Sequence, residues 1–110
     1  MKRPVIFIIG VTGSGKTTIG KLVASQTAIS FFDADAYHPE ANIEKMKSGH
    51  PLTDEDRLPW LVRLNQLALS SANKEGAVIA CSALKESYRQ ILSAGLTNWV
   101  STWIVIFWGK

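Results

Sequence analysis

One segment near the start of this 110-residue chain constrains its fold more than any other. An apolar run, Val5 to Ile9, is unbroken and rich in β-branched residues, as expected of a strand covered on both faces in a parallel sheet. A glycine-rich loop follows it, and from Lys16 to about Gln26 apolar residues recur at helical spacing. This order of strand, loop and helix predicts the beginning of an α/β domain.

The loop GVTGSGKT, residues 10–17, matches the pattern G-x-x-x-x-G-K-[ST]. Glycines let the backbone turn tightly and point its N–H groups inward, and the following helix adds the partial positive charge of its first turn. Such a loop holds the phosphates of ATP or GTP, with its lysine on the β- and γ-phosphates. We therefore predict these nucleotide-binding residues: Gly10, Val11, Thr12, Gly13, Ser14, Gly15, Lys16 and Thr17. The alternative is a plain glycine turn, for which a chance match has roughly a few chances in a thousand.

The rest of the chain continues to alternate between strands and helices. Further strands are predicted to end at Asp33 and to span 77–81 and 102–108, and helices are predicted over 39–48, from Thr53 towards Gly76, and over 84–95. Pro59 falls near the first turn of the second of these helices or marks a break in it. We predict a single three-layer α/β/α domain of the P-loop NTPase class, with a parallel sheet and right-handed crossovers.

The composition excludes several classes of function. The net charge of +3 and the pI near 9.2 suit a small anionic ligand, but this excess of positive charge is too small to indicate nucleic-acid binding. No apolar stretch approaches the roughly 18 residues that span a membrane, so no membrane partner is expected. The lone Cys81 excludes a disulfide framework and favours a reducing, cytoplasmic location.

Two carboxylates end the second predicted strand. Asp33 and Asp35 would lie on the same rim of the sheet as the phosphate loop, because ligands of open α/β sheets bind at the carboxyl ends of the strands. A carboxylate there can accept the proton of a substrate hydroxyl or hold Mg²⁺ through water. The alternative is that one aspartate caps the next helix, which explains either residue alone better than both.

Three blocks of the sequence resemble a known family: GVTGSGKTTIG at 10–20, FFDADAYHPEANIEKMKSGHPLTDEDRLPWL at 31–61 and CSALKESYRQIL at 81–92. They are similar to the gluconokinases of the P-loop kinase superfamily, of the thermoresistant type. The resemblance implies transfer of the ATP γ-phosphate to the 6-hydroxyl of D-gluconate, with Mg²⁺. It also implies a product that feeds the pentose phosphate or Entner–Doudoroff routes, and a possible homodimer.

A sugar acid needs a cation for its carboxylate, and Arg57 is the best candidate because guanidinium presents a planar fork. Its alternative is an ion pair with Asp54 or Asp56. Lys85 and Arg89, one turn apart, would add positive charge over the pocket, or form a solvated helix face.

Other polar residues complete the expected site. His38 is predicted to bind a substrate hydroxyl, with a role at the start of the next helix as the alternative. By analogy with sugar-acid kinases, Asp35 is expected nearest the reacting hydroxyl, so that Lys16 and Asp35 are the catalytic candidates. Thr17 is expected to hold Mg²⁺, with Asp33 or Ser82 through water. The helical segment 37–75 is expected to bind the substrate.

Members of that family are longer than this chain. The resemblance therefore implies that the lid, the fifth strand and the final helix are missing, so that 1–110 is an incomplete kinase domain. Two alternatives to an active gluconokinase stay open: an inactive nucleotide-binding remnant, and a kinase for another small acid such as shikimate.

Overall fold

The computed structural model describes residues 3–10, 15–82, 85–96 and 101–105, which form four strands and four α-helices. The strands are β1 (Val5–Ile9), β2 (Phe31–Asp33), β3 (Ala77–Cys81) and β4 (Ser101–Val105). The helices are α1 (Lys16–Thr27), α2 (Glu40–Lys47), α3 (Asp54–Ala72) and α4 (Glu86–Leu92), and a short 3₁₀ helix covers Ala34–Tyr37.

All strand pairs in the sheet are parallel, and the strand order is β2-β3-β1-β4. Val5 lies opposite both Ala77 and Ser101, and Asp33 lies opposite Ala80. In a parallel sheet the carboxyl ends of the strands meet at one edge. The loop after β1, the residues after β2 and the residues after β3 therefore share a rim, as the sequence predicted.

Helices cover both faces of the sheet. Phe7 of β1 and Ile79 of β3 belong to a core cluster that includes residues of α3 and α4. Their neighbours Ile8 and Val78 point the other way, into a second cluster with Ala24 of α1. This alternation follows from the two-residue period of a strand. The predicted three-layer α/β/α architecture is confirmed.

The longest helix, α3, begins as the sequence predicted. Thr53 accepts a hydrogen bond from the backbone N–H of Asp56, and the Asp56 side chain accepts one from the backbone N–H of Thr53, which completes a capping box. The helix continues through Pro59 without a break. No helix in the described part of the chain is long and apolar enough to cross a bilayer.

Several element boundaries differ from the predictions. The helix predicted over 84–95 ends at Leu92, and the chain then turns to Gly95, whose φ of +84° favours glycine. The 3₁₀ helix after β2 was not predicted. It forms because the Asp33 side chain caps it immediately where the strand ends. The fourth strand begins at Ser101, one residue early, and its predicted end at 106–108 lies outside the described residues.

Candidate active site

Two cavities open at the carboxyl edge of the sheet, and Asp35 lines both of them. The small cavity, of about 210 Å³, is also lined by Lys16, Thr17 and Asp33. The large cavity, of about 400 Å³, is lined by residues that include His38, Leu52, Arg57, Trp60 and Ser82. The sequence-predicted residues are therefore divided between two neighbouring spaces that meet at one carboxylate.

The small cavity lies at the start of α1. Gly15 precedes the helix with a φ of +92°, a left-handed conformation that costs glycine little, and Lys16 is the first helical residue. The first N–H groups of an α-helix have no partner within it and carry partial positive charge, so this end of α1 favours an anion. Four of the predicted loop residues lie outside the described part of the chain: Val11, Thr12, Gly13 and Ser14.

Oxygen ligands suited to Mg²⁺ also lie at the small cavity. The Thr17 hydroxyl and the Asp33 carboxylate both line it. Among the described residues, however, no group of three or more His, Cys, Asp or Glu side chains could hold a metal ion. A magnesium ion fits here only as Mg²⁺ usually binds in kinases, by one or two protein oxygens together with phosphates and water. Ser82, the other predicted contributor, lines the large cavity instead.

The two aspartates after β2 have different surroundings. Asp33 Oδ1 accepts a hydrogen bond of 3.0 Å from the backbone N–H of Asp35, so Asp33 caps the 3₁₀ helix in addition to lining the small cavity. The Asp35 carboxylate accepts no hydrogen bond from another described residue and is exposed at the junction of the cavities. Of the two aspartates, only Asp35 lines both cavities, and its carboxylate accepts no hydrogen bond from another described residue.

Arg57 is held by a tyrosine rather than by a carboxylate. Its Nη1 donates a hydrogen bond of 2.9 Å to the Tyr88 hydroxyl, and its guanidinium carbon lies 5.7 Å from the centre of the Tyr88 ring. The Tyr88 hydroxyl in turn donates to Asp54, and Asp56 binds Lys45 Nζ at 2.6 Å. Within the described ranges Arg57 therefore makes no direct ion pair with either neighbouring aspartate, although its charge helps to lower the pKa of Asp54, and it lines the large cavity.

Lys85 and Arg89 line neither cavity. Lys85 Nζ lies 3.0 Å from Asp54 Oδ1, and this contact raises the pKa of Lys85. Hydrogen bonds from Tyr88 and Lys85 lower the pKa of Asp54. Arg89 is half-buried, and its buried Nε has no hydrogen-bond partner among the described residues. Both side chains lie on the α4 side of the site, and Lys85 forms an ion pair with Asp54 of α3.

His38 is enclosed on one face and bonded at one nitrogen. Its ring stacks on Trp60 with 4.1 Å between ring centres, and its Nδ1 lies 3.1 Å from Asn42 Nδ2. Burial is the main cause of a lowered pKa for His38; the Arg57 charge also lowers this pKa, and the Asp35 charge opposes the shift. The ring is therefore neutral at neutral pH, which suits hydrogen bonding to an uncharged or anionic ligand.

Three residues of this arrangement were not among the predicted site residues. Trp60 is buried, lines the large cavity, stacks on His38 and donates from Nε1 to the Ala34 carbonyl at 2.7 Å. Asn42 lies four residues after His38, but His38 precedes α2 with an extended backbone, so helical spacing gave no signal for this contact. Tyr88 carried no such signal, because it reaches Arg57 across 31 residues.

Comparison with known proteins places this fold in a family. A family model described as "Shikimate kinase" matches residues 12–107. The chain belongs to the shikimate kinase family. The chain is similar to gluconokinases. It is 49% identical over 97 residues to a "Probable gluconokinase" of Rattus norvegicus, and the match covers 86% of this chain and 52% of that protein. It is also 49% identical over 98 residues to the "Thermosensitive gluconokinase" of Escherichia coli (strain K12), covering 88% of this chain and 52% of the relative.

A solved structure supports the same relationship. The crystal structure of a gluconokinase from Sinorhizobium meliloti 1021 superposes with a TM-score of 0.83 at 40% identity, covering 93% of this chain and 56% of that chain. The resemblance to gluconokinases and the P-loop kinase fold are thereby confirmed. The chain spans about half the length of the curated relatives that it matches.

Proposed function

We propose that this chain forms the phosphate-binding and acceptor-binding part of an ATP-dependent gluconokinase, which phosphorylates D-gluconate to 6-phosphogluconate. The observation that carries the proposal is that the Asp35 carboxylate lies at the junction of two cavities and accepts no hydrogen bond from another described residue. One cavity has the helix start and lysine that suit phosphates, and the other has an arginine without a carboxylate partner among the described residues. Gluconokinase relatives at 49% identity support the choice of acceptor.

In this proposal the small cavity receives the ATP phosphates. Lys16 contacts the β- and γ-phosphates and neutralises charge that spreads over the transferred group. Thr17, with Asp33 through water, holds the Mg²⁺ that accompanies ATP. When bound, that ion neutralises phosphate charge and orients the phosphates.

The large cavity receives gluconate, and its volume of about 400 Å³ falls within the usual range for small-ligand sites of roughly 300–1,000 Å³. Arg57 binds the carboxylate of the sugar acid, and His38 and Ser82 bind its hydroxyls. The 6-hydroxyl lies next to Asp35, which accepts its proton as the new O–P bond forms and the bond from the γ-phosphorus to the ADP oxygen breaks. Arg89 contributes positive potential from α4 without direct contact, whereas the charge of Lys85, just before α4, is largely offset by Asp54.

The remaining parts of the proposal follow from the same relationship. The segment 37–75, which contains α2 and α3, carries most of the acceptor site. A cytoplasmic location rests on the lone, buried Cys81, and 6-phosphogluconate would enter the pentose phosphate or Entner–Doudoroff routes. A homodimer is expected, and sedimentation measurements on the purified chain would test it.

The experiment that tests the function measures ADP formation by the purified chain with ATP and Mg²⁺. Three reactions are compared: with D-gluconate, with shikimate, and without an acceptor. Turnover that depends on gluconate is expected. Turnover with shikimate but not with gluconate would show that the acceptor is another acid. Binding of ATP by calorimetry, without turnover on either acceptor, would favour the inactive nucleotide-binding alternative.

A further inference from the structure

A chain of hydrogen bonds defines which nitrogen of His38 carries the proton. Asn42 Nδ2 lies 2.9 Å from the backbone oxygen of Asp56 and 3.1 Å from His38 Nδ1. A carbonyl oxygen can only accept a hydrogen bond, so the part of the Asn42 amide that faces Asp56 must be its NH₂ group. That group can only donate, so the nearby Nδ1 of His38 must accept. In a neutral imidazole with an accepting Nδ1, the proton lies on Nε2.

The reverse orientation of Asn42 is physically unfavourable. It would place Oδ1 of Asn42 against the Asp56 carbonyl, two acceptors at 2.9 Å, in a side chain that is only 4% exposed. A buried polar atom without a partner costs roughly 1–3 kcal/mol, and an opposed pair of acceptors costs more. The Asp56 carbonyl therefore decides the orientation of Asn42, and Asn42 decides the tautomer of His38.

The other contacts of His38 leave Nε2 as the group that can bind a ligand. One ring face is stacked on Trp60, Nδ1 is bonded to Asn42, and the residue lines the large cavity. Nε2 makes no hydrogen bond to a described residue. It is also not among the fully buried side-chain atoms that lack a partner, so a ligand can reach it. Burial also lowers the pKa of His38, which keeps the ring neutral.

We propose that Asn42 is a positioning residue that holds His38 as the neutral Nε2–H tautomer, so that His38 donates a hydrogen bond to an oxygen of the acceptor and does not serve as its base. The identity of the acceptor rests on the proposed function, whereas the tautomer does not. Of the two, His38 and Asp35, this leaves Asp35 to receive the hydroxyl proton.

The direct test is a long-range ¹⁵N–¹H correlation spectrum of the imidazole rings in the ligand-free, ¹⁵N-labelled chain at neutral pH. The chain has two histidines, so a His50→Gln variant assigns the His38 signals. The expected spectrum has a protonated Nε2 and an unprotonated Nδ1. A protonated Nδ1, or a rapidly averaged mixture of both tautomers, would overturn the proposal without reference to any activity.

Asn42→Asp provides the matched perturbation, because a carboxylate can only accept from Nδ1. In this variant His38 is expected to become protonated at Nδ1, with its pKa higher than in the unsubstituted chain. Asn65→Asp is the control: Asn65 lies on α3 and donates to the carbonyls of Leu92 and Ala94, away from His38. An unchanged His38 spectrum in a folded Asn42→Asp variant would contradict the role of Asn42. If that variant does not fold, the spectrum of the unsubstituted chain still decides.

The donor role has its own readout. His38→Gln can place an amide NH₂ near the position of Nε2, whereas His38→Asn is too short to do so. We expect the KM for gluconate to rise by roughly tenfold in His38→Asn and clearly less in His38→Gln, as for one neutral hydrogen bond. Equal KM values in the two variants would contradict donation by His38. If His38 is protonated at Nε2 but the chain binds no gluconate, the proposed tautomer is supported and gluconate as the acceptor is refuted.

Discussion

The small and large cavities are built in opposite ways, although they share one wall at Asp35. The small cavity is formed mainly by consecutive residues at the start of α1, with Asp33 and Asp35 added from the end of β2. The large cavity brings together residues from the 3₁₀ helix, the segment 46–52, α3 and the end of β3. The small cavity is thus encoded largely by one short motif, whereas the large cavity depends on how distant elements pack.

The difference also appears in how each cavity controls charge. At the small cavity the helix start supplies a fixed positive potential that no single side chain determines. At the large cavity the absence of a direct ion pair at Arg57 depends on Tyr88 and two lysines, because Arg57 donates to Tyr88 while Lys85 and Lys45 bind Asp54 and Asp56. Lys16 adds a side-chain charge to the small cavity, so one substitution there tests that contribution, whereas substitutions at the large cavity should act through a network. The following predictions test this contrast.

The largest effect is expected from Lys16→Ala. Losing a cation that stabilises the transferred phosphate should lower kcat with gluconate by about 10²–10³-fold, as for other single groups that stabilise transition-state charge. Lys21→Ala, at an exposed position of the same helix, is the control and should leave kcat unchanged. A steady-state ADP assay measures both, and equal rates would show that the small cavity does not bind the transferred phosphate.

A smaller effect, and on KM rather than kcat, is expected from Arg57→Lys. Lysine keeps the charge but lacks the planar fork, so the KM for gluconate should rise by roughly 10- to 100-fold, as for loss of a charge-assisted hydrogen-bond pair. Arg63→Lys is the control on the same helix, because Arg63 is exposed and donates to the Tyr37 carbonyl. An unchanged KM in Arg57→Lys would contradict binding of the gluconate carboxylate by Arg57.

Tyr88→Phe tests whether the large cavity depends on a network. The ring remains, but the hydroxyl that links Arg57 to Asp54 is lost. The guanidinium is then free to turn towards Asp54, and the KM for gluconate should rise by roughly 2- to 10-fold, as for one neutral hydrogen bond. In the Arg57→Lys background the same change should have little further effect, and full additivity of the two changes would argue against the link.

The smallest effect concerns stability at low pH. Hydrogen bonding from Lys45, together with the backbone N–H of Thr53, lowers the pKa of Asp56 from 3.8 to about 2. Because the folded state holds this carboxylate ionised, its contribution to stability is present above pH 4 and is lost as the pH falls towards 2. Urea unfolding across this range should show a weaker decline in Lys45→Met than in the unsubstituted chain. Lys47→Met, at an exposed position of α2, should decline as the unsubstituted chain does.

The same contrast explains how much the sequence could predict. Strand, loop and helix periodicity predicted the sheet, the layers and the start of α1, because these depend on local patterns and on burial. The start of α3 at Thr53 was predicted for the same reason. The pairing of Arg57 with Tyr88 could not be predicted, because it depends on how α3 and α4 pack across 31 residues of chain.

Residue type alone also left some contacts undetermined. Lys85 was predicted to add positive charge over the pocket or to lie on a solvated helix face, and the structure shows its ammonium group 3.0 Å from Asp54 Oδ1. Trp60 was not among the predicted site residues, but its buried ring stacks on His38, and both residues line the large cavity. In both cases the contact joins residues more than twenty positions apart in the chain, which periodicity does not predict.

The central claim is that Asp35 joins the two cavities and receives the proton of the acceptor hydroxyl. The most direct test compares Asp35→Asn with the unsubstituted chain, measuring kcat for gluconate-dependent ADP formation and, by calorimetry, the Kd values for ATP with Mg²⁺ and for gluconate. The account predicts a fall in kcat of about 10²–10⁴-fold, typical of a lost general base, with both Kd values little changed. Retention of kcat in a folded Asp35→Asn chain would contradict it.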